Sequence, residues 1–489
     1  RRVLFRSKFE LTEIEKDELE FFLKDFQIEK TLVTNDTSLF QKPTFLRQDN
    51  LGRLRFFSFN DPLFKVSFEP ILGYTLAKNY GTNFFHQWSG VKFKGYLSDW
   101  LGFSFDYRDN IERADSNDKM RIFTPHTGVN PLFKAANRIE YSDVNSTISA
   151  AWSWGNFTMG KDHLQWGHGL GGQLVLSQKA PSFPFFKIDI NPTEWLSFNY
   201  FHGWLNSDVV DSAEMYVTKN PYDSRYLYRE KYLASHTITI RPTTGLSISL
   251  GESIVYSDRL EFAYLQPIIF FRLIDHYLSK TFNSAGGNAQ FFASVSSRNH
   301  LPNSHLYGTI FIDEITISGL FDKTKQRNQL GFTLGGSVAD PFIENLIVTL
   351  EFTKIYPFVY QHYIQTQTYE SSSYQLGHWI GHNADQFFAQ IEYRPIKNMN
   401  VKLWGEFIRK GGDGTLDDQY NKQPQPHFLF GERLDYKHFG AQIKYQVIHD
   451  LFASLNYEYY DIADEKVSRL PSIQLGKNNR LAFNIYYGM

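Results

Sequence analysis

The sequence predicts an all-β fold: a transmembrane antiparallel β-barrel of about 18 strands with a small N-terminal helical plug. Three observations carry that expectation. Aromatic residues make up 17 % of the chain, with 45 Phe and 29 Tyr, yet mean hydropathy is only −0.38 because polar residues interleave with them. Such a chain suits strands with one apolar and one polar face. Two-residue periodicity also runs, with interruptions, from Leu63 to Met489. Finally, no run of about 18 consecutive apolar residues occurs, which excludes a helical span and leaves a closed barrel as the route across a bilayer. A soluble all-β protein with an aromatic core is the competing reading, although a two-layer sandwich of 489 residues would be exceptional.

Charge and cysteine content narrow the classes further. The net charge of −2 gives no case for nucleic acid as a partner. The chain has no cysteine, so it holds no disulfide framework and no thiolate metal site, which is compatible with the cell envelope.

From Leu11 to Phe26 the pattern is helical, with Leu11, Ile14, Leu19, Phe22 and Phe26 on one side and charges between them. Thr12 and Glu15 read as a capping box. One short amphipathic helix is unstable alone in water, so its apolar face has to dock on something. With the mixed segment that follows, it forms an expected periplasm-facing or plugging element over residues 1–60, and the barrel occupies 61–489.

Strands follow. Phe64, Val66 and Phe68 alternate with Lys65, Ser67 and Glu69, and Leu101, Phe103, Phe105 and Tyr107 with Gly102, Ser104, Asp106 and Arg108. Residues two apart share a face of a strand, so charges and aromatics fall on opposite sides. The same spacing recurs around Ile148, Leu246, Leu330 and Leu346. It is cleanest in the last third, at Phe387–Tyr393, Val401–Phe407, Phe439–Val447, Leu451–Tyr459 and Leu481–Met489. Dividing the residues after Asn60 by about 24 per strand and connection gives about 18 strands. Four long polar stretches, Arg108–Ala136, Asn206–Arg229, Tyr356–Asp385 and Lys410–Lys437, are the candidate extracellular loops. Leu260–Ser279, dense in apolar residues around Pro267, fits either a helix or a strand pair.

Several constellations invite a chemical reading. Gly167, Gly169 and Gly172 satisfy G-x-G-x-x-G, with Asp189 near the distance of a ribose-binding acid. The dinucleotide fingerprint needs a helix after it, whereas Pro181 and Pro184 follow here. These glycines instead predict a backbone that bends tightly or passes close to another segment in the lumen. His378 and His382 have the spacing of a metal pair on a helix, but Gly377 and Gly381 flank them, so polar loop or lumen histidines are expected and no metal. Asp162, His163 and Ser177 supply the residue types of a hydrolytic triad without a nucleophile elbow. Sugars present an apolar face for stacking and a rim of hydroxyls, which aromatics beside Asp, Asn, Gln and His match. Three groups have that composition: Asp162, His163, Gln165, Trp166 and His168; Trp204, Asp208 and Asp211; and Tyr360, His362 and Asp385. Polar lumen walls and a Trp at the membrane boundary account for the same residues equally well.

The run from Gly160 to Ser212, GKDHLQWGHGLGGQLVLSQKAPSFPFFKIDINPTEWLSFNYFHGWLNSDVVDS, resembles the Wzi capsule-assembly proteins of the outer membrane, in the form found in Bacteroidetes. The matching features are a W-G-x-G motif, then L-x-L-S-x-x-A-P, then a strand with W-L-S-F. Further resemblance lies in DPLFKVSFEPILGY from Asp61, FDYRDN from Phe105, LYGTIFIDEI from Leu306, and LEFTKIYPFVYQH followed by LGHWIGHNAD up to Asp385. The resemblance implies an 18-strand barrel whose periplasmic side is closed by a small helical bundle. It also implies a lectin-like role that ties capsular polysaccharide to the cell surface, without catalysis.

The expectation is therefore a non-enzymatic outer-membrane barrel, without a cofactor. It would bind capsular or exopolysaccharide and assist its assembly or attachment, with loops at the cell surface and the N-terminal element in the periplasm. Outer-membrane lipid and other outer-membrane subunits are the further expected partners. The alternative is an accessory subunit or channel of a larger secretion or glycan-uptake complex.

Overall fold

The computed structural model describes residues 13–26, 28–29, 32, 41–48, 54–114, 120–220, 224–281, 286–314, 328–466 and 469–488. Eighteen strands close into one antiparallel barrel. In chain order they are Phe64–Asn79, Thr82–Leu97, Leu101–Ala114, Arg138–Trp152, Gly155–Asp162, Phe183–Thr193, Leu196–Val210, Tyr228–Thr243 and Leu246–Ser257, then Asn288–Arg298, Ser304–Glu314, Gln329–Ala339, Leu346–Ile355, Ala384–Tyr393, Met399–Lys410, Leu434–Ile448, Leu451–Asp464 and Gly476–Tyr487. Each pairs with the next. The ring shuts where Gly476–Tyr487 pairs with Phe64–Asn79, from Arg480↔Asn79 to Tyr487↔Leu72. No helix among the described residues is long and apolar enough to cross a membrane.

The alternation read from the sequence sorts the wall. Leu334, Leu350, Leu403, Leu455 and Leu481 point outward and are 47–58 % exposed, as lipid-facing positions must be. Their neighbours Thr333, Glu351 and Ser454 turn into the lumen and are buried there.

The closing edge is shared between two partners. Near its start, Phe64–Asn79 pairs with Leu54–Asn60, from Asn60↔Lys65 to Phe57↔Phe68, and that strand pairs with Gln41–Gln48. Pro70 lies between the two partners, where a residue without an N–H leaves no ladder bond unmade. Gly488 turns past it at a φ of 77°, and a Cβ there would sit 2.1 Å from the Pro70 carbonyl oxygen. Only glycine fits such a position.

A polar ladder in the lumen crosses this seam. The Gln386 amide donates to Glu406 at 2.8 Å, and His438 Nδ1 lies 3.2 Å from the other oxygen of Glu406. His438 Nε2 then lies 3.6 Å from Glu458, and Arg480 donates both to Glu458 at 2.7 Å and to Asn79 at 3.0 Å. The ladder joins strands on both sides of the closure, with a carboxylate between each pair of donors.

All connections at one end are short: 98–100, 153–154, 194–195, 244–245, 299–303, 340–345, 394–398 and 449–450. At the other end only 80–81 is tight, and the four stretches expected to be long loops all emerge there. The N-terminal helix, Glu13–Asp25, sits at the short-turn end. Its Phe21 ring lies 4.6 Å from His449 and 6.3 Å from the lumen-facing Phe452, and just beyond the helix Glu29 accepts a hydrogen bond from Tyr96 at 2.9 Å. The expected cap at Thr12 lies outside the described residues. Leu260–Ser279, which the sequence left open, is helical: a 3-10 turn at Phe262–Leu265 and an α-helix at Phe271–Thr281, with Pro267 between them.

Replacing Arg480 with Met leaves Glu458 buried with one cation fewer. We expect a loss of about 2–4 kcal/mol, read as a lowered urea midpoint in detergent micelles. Adding Glu458→Gln, which removes the uncompensated charge, recovers part of that loss.

Candidate functional site

The lumen is occupied by its own loops. The segments 120–129, 163–182 and 356–383 fold inward from the long-loop end, and their side chains pack with lumen-facing wall residues into the largest hydrophobic cluster of the protein. Phe123, Leu174, Leu176, Tyr360, Tyr374 and Trp379 are its centre, and none is more than 6 % exposed. Polar pins hold the segments together. Trp379 Nε1 donates to the Gly171 carbonyl at 2.7 Å, the Tyr360 hydroxyl to the Leu174 carbonyl at 2.5 Å and the Ser177 hydroxyl to the Gly377 carbonyl at 2.5 Å. The wall supplies Glu351, which accepts from the Leu170 and Gly171 amides at 2.9 and 3.1 Å and from the Tyr307 hydroxyl at 2.6 Å.

The glycine run is what allows this packing. A Cβ on Gly172 would lie 2.5 Å from His378 Nε2, and one on Gly171 2.8 Å from the Gln386 side chain and 3.0 Å from Glu351. Gly167 adopts a φ of 132°, outside the range of ordinary side chains. The expectation of close backbone approach within the lumen therefore holds. His378 packs against Gly172, while His382 Nδ1 accepts the Phe358 amide at 3.1 Å, so the two histidines serve different contacts. Burial pushes both imidazoles down to about 3, which keeps them neutral. Among the described residues, no group of three or more His, Asp or Glu is placed to hold a metal.

The residues singled out from the sequence do not form one site. Asp162 accepts the amide of His163 at 2.7 Å, and burial lowers the His163 pKa against the opposing pull of Asp162 and Asp143. Ser177, tied to Gly377, has its hydroxyl proton committed elsewhere. Gln165 and Trp166 line a cavity of about 190 Å³ with Lys187, Asp189, Asn199 and Phe292, in the half of the barrel nearer the short turns. The Trp166 ring rests 4.7 Å from Phe292. His168 stands edge-on to His305 at 5.5 Å. Trp204 is on the outer wall, 38 % exposed, beside His202 and Phe186. Asp208 accepts hydrogen bonds from Asn206 at 2.8 Å and from Ser373 at 2.7 Å, which fastens the inner 356–383 segment to the rim. Asp211 accepts the Ala213 amide at 3.0 Å and shapes a turn. Tyr360 is fully buried in the inner core. Asp385 is on the outer face, in a two-pronged pair with Arg409.

His362 stands apart from these. It lines a cavity of about 360 Å³ at the long-loop rim, with Asp313, Glu314, Gln361, Tyr363 and Tyr420. The Tyr363 ring is 4.4 Å from His362 and meets Tyr420 edge-on at 5.6 Å, and Tyr363 is 58 % exposed. Burial draws the His362 pKa down to about 4, and its Nδ1 accepts the Ile364 amide at 3.2 Å. An exposed aromatic face beside carboxylates, an amide and a neutral imidazole is suited to a polyhydroxylated ligand. Sequence reading missed Asp313, Glu314 and Tyr420. The signal available was an acidic pair closing an apolar strand in LYGTIFIDEI, where a purely structural strand would carry a turn residue.

No family model matches the sequence, and no curated protein matches it. Solved structures do. One is Wzi, described as an outer membrane protein involved in group 1 capsule assembly in Escherichia coli and a carbohydrate-binding β-barrel. It aligns at a TM-score of 0.53 and 12 % identity, over 86 % of this chain and 85 % of that one. The fold is that of an outer-membrane β-barrel. Pseudomonas aeruginosa OprD aligns at a TM-score of 0.46 and 11 % identity, over 86 % and 94 % of the two chains. Acinetobacter baumannii OccAB2 aligns at 0.48 and 9 %, over 86 % and 97 %. At these identities the likeness concerns architecture.

Gly172→Val drives a side chain into His378. Overpacking of about 1–3 kcal/mol should open the 163–182 segment to protease about tenfold faster while the wall stays folded. Pairing it with His378→Ala returns cleavage toward the wild-type rate.

Proposed function

We propose that the protein binds surface polysaccharide and assists its assembly or attachment at the outer membrane, without catalysis. One observation carries this reading: the lumen is packed with a side-chain core while the long-loop rim holds an aromatic, polar cavity. A barrel built for diffusion keeps a hydrated passage through its lumen. Here Phe123, Trp379, Tyr360 and Leu174 occupy that space. At the rim, Tyr363 offers a stacking face, and Asp313, Glu314, Gln361 and His362 offer acceptors and donors around it.

In this reading the long-loop end faces the cell exterior and the N-terminal helix lies on the periplasmic side. Asp208 and Asp211 act in holding the rim, and Gln165 and Trp166 belong to a separate cavity below the inner core. The resemblance in the Gly160–Ser212 run agrees with a glycan ligand. Each contact is weak, and a repetitive chain held by many copies of the barrel gains strength through avidity.

Three measurements test this. Deleting the gene should release polysaccharide into the medium without stopping its synthesis, whereas unchanged surface retention would sink the proposal. The pair His362→Ala and Tyr363→Ala should weaken binding of purified polysaccharide about tenfold with the barrel's thermal stability unchanged. Steady conductance in planar bilayers would favour the alternative, a channel or accessory subunit of a larger complex.

The pH profile adds a sign. With its pKa near 4, His362 is neutral at pH 7 and still neutral at pH 6, where a solvent-exposed histidine would be mostly charged. The share of glycan binding lost in His362→Ala should therefore be the same at pH 8 and pH 6 and change only as the pH approaches 4.

A further inference from the structure

Outward-facing positions of a membrane barrel should be apolar, and for much of the wall they are. On the neighbouring strands Tyr228–Thr243, Leu246–Ser257 and Asn288–Arg298, the outward residues Ile238, Ile240, Ile248, Leu250 and Val295 are 38–61 % exposed. Further along the same faces, toward the long-loop end, the pattern breaks. There the outward residues are Tyr232, His236, Glu252 and Tyr256, joined by His202 on Leu196–Val210. A carboxylate and two imidazoles are costly against hydrocarbon. Yet Glu252 is 2 % exposed and His202 fully buried.

Segment 258–281 folds down over the outside of the wall and covers Glu252, His236 and Tyr256, while His202 is enclosed by Tyr256, Tyr232, Trp204 and Phe186. Tyr264 and Phe271 pack into a cluster with Tyr200, Tyr232, Ile254 and Tyr256, separate from the lumen core. The Tyr200 hydroxyl donates to the Tyr264 carbonyl at 2.8 Å. Glu252 accepts the Phe271 and Arg272 amides at 2.9 and 2.7 Å, capping the first turn of the Phe271–Thr281 helix. The Phe271 ring covers His236 at 4.5 Å, and His202 Nε2 lies 2.7 Å from the Tyr256 hydroxyl. The outward polar residues thus form a latch for this flap.

The other side of the flap exposes large apolar residues, with His276 among them. Phe262 is 78 % exposed, Ile268 79 %, Leu273 66 %, Tyr277 54 % and Phe270 47 %. A surface helix in water turns a polar face to solvent. Exposed cations flank these residues: Arg259 pairs with Glu261 and Arg272 with Asp275, and Lys280 ends the helix. The apolar surface runs into the lipid-facing wall, for the Phe270 ring lies 5.8 Å from that of outward-facing Phe291.

We propose that segment 258–281 is seated in the outer leaflet of the membrane. Ile268, Phe270, Leu273 and Phe262 lie among acyl chains, Tyr277 lies at the boundary, and Arg259, Arg272 and Lys280 meet lipid phosphates. Continuity with the wall's lipid-facing band and the cationic fringe single out lipid as the occupant. The inference rests on the outer-membrane reading of the barrel and needs no glycan, although Arg272 and Asp275 of the flap also line the rim cavity beside His362.

The absence of native cysteine permits a direct test on the full chain. Single cysteines at Ile268, Leu273, Leu334 and Tyr226 are spin-labelled in vesicles of phosphatidylethanolamine and phosphatidylglycerol. Collisions with oxygen and with a water-soluble nickel chelate are then compared. Leu334 on the outer wall is the lipid reference, and Tyr226 in the loop after Val210 is the water reference. Labels at 268 and 273 should match Leu334, with oxygen favoured and nickel excluded. Nickel access equal to that at Tyr226 overturns the proposal while leaving the barrel in the membrane. Exclusion of both reagents, which would mean a protein partner or a second copy covers the flap, overturns it too. Nickel access at Leu334 itself would sink the membrane reading and the proposal together. Glu252→Gln, which keeps the shape and weakens the cap, should make the 273 label more mobile without altering the Leu334 signal.

Discussion

A backbone amide that faces hydrocarbon has no water to fall back on, and every large feature of this protein follows from that constraint. It forces the wall to be a ring. Closure occurs between strands at opposite ends of the chain, where Phe64–Asn79 meets Gly476–Tyr487. That seam is the least local pairing among the described wall strands. Pro70 occupies the point where no ladder bond is needed, Gly488 passes where no side chain fits, and the ladder from Gln386 to Asn79 links the flanking strands through the lumen. Each buried carboxylate in that ladder has a cationic or hydrogen-bonding neighbour, which is the condition under which a buried charge is tolerated.

With the wall fixed, the chain manages two further surfaces by the same logic. Inside, the polar lumen face is covered by segments that return from the long-loop end and build a core of their own. Outside, the flap over Glu252 and His236 shields polar wall residues and presents apolar ones in their place. In both cases a carboxylate of the wall receives two consecutive backbone amides from the covering segment. Glu351 takes those of Leu170 and Gly171, and Glu252 takes those of Phe271 and Arg272. The repetition has a simple cause, since a loop end carries amides without ladder partners and a carboxylate accepts two of them at once.

Much of the architecture is legible in the sequence because a strand's period of two is a strong signal. Leu403, Phe439, Ile443 and Leu481 face outward where alternation puts them, and the number of strands follows from chain length per strand. The glycines from Gly167 to Gly172 also disclose close approach. The candidate ligand residues are less legible, for a physical reason. Alternation assigns a face along a strand but does not tell which side of the wall a long loop folds toward. Asp385 and Tyr360, near neighbours in sequence composition, end on the outer face and in the inner core, and only His362 of that group reaches the rim cavity. Trp204 continues an outward face already readable from Phe198 and Tyr200. Glu252 and His236 break the outward apolar pattern of their strands, and the segment that covers them comes only after them in the chain.

The inner core has a bearing on how the molecule comes into being. Wall hairpins join residues near one another in sequence, whereas the core joins Leu174 to Tyr360 and Val129 to Tyr374. Contacts that distant carry a large loop-closure entropy and form late. Before the ring shuts, Leu174, Leu176 and Trp379 have no enclosed space to fill and remain adhesive surface on an incomplete sheet. Burial of the core therefore waits on closure of the wall, and a chain arrested before closure carries both an open strand edge and an uncovered apolar cluster. Those are the two hazards that promote aggregation, so this barrel depends on prompt closure more than an empty-lumened one does.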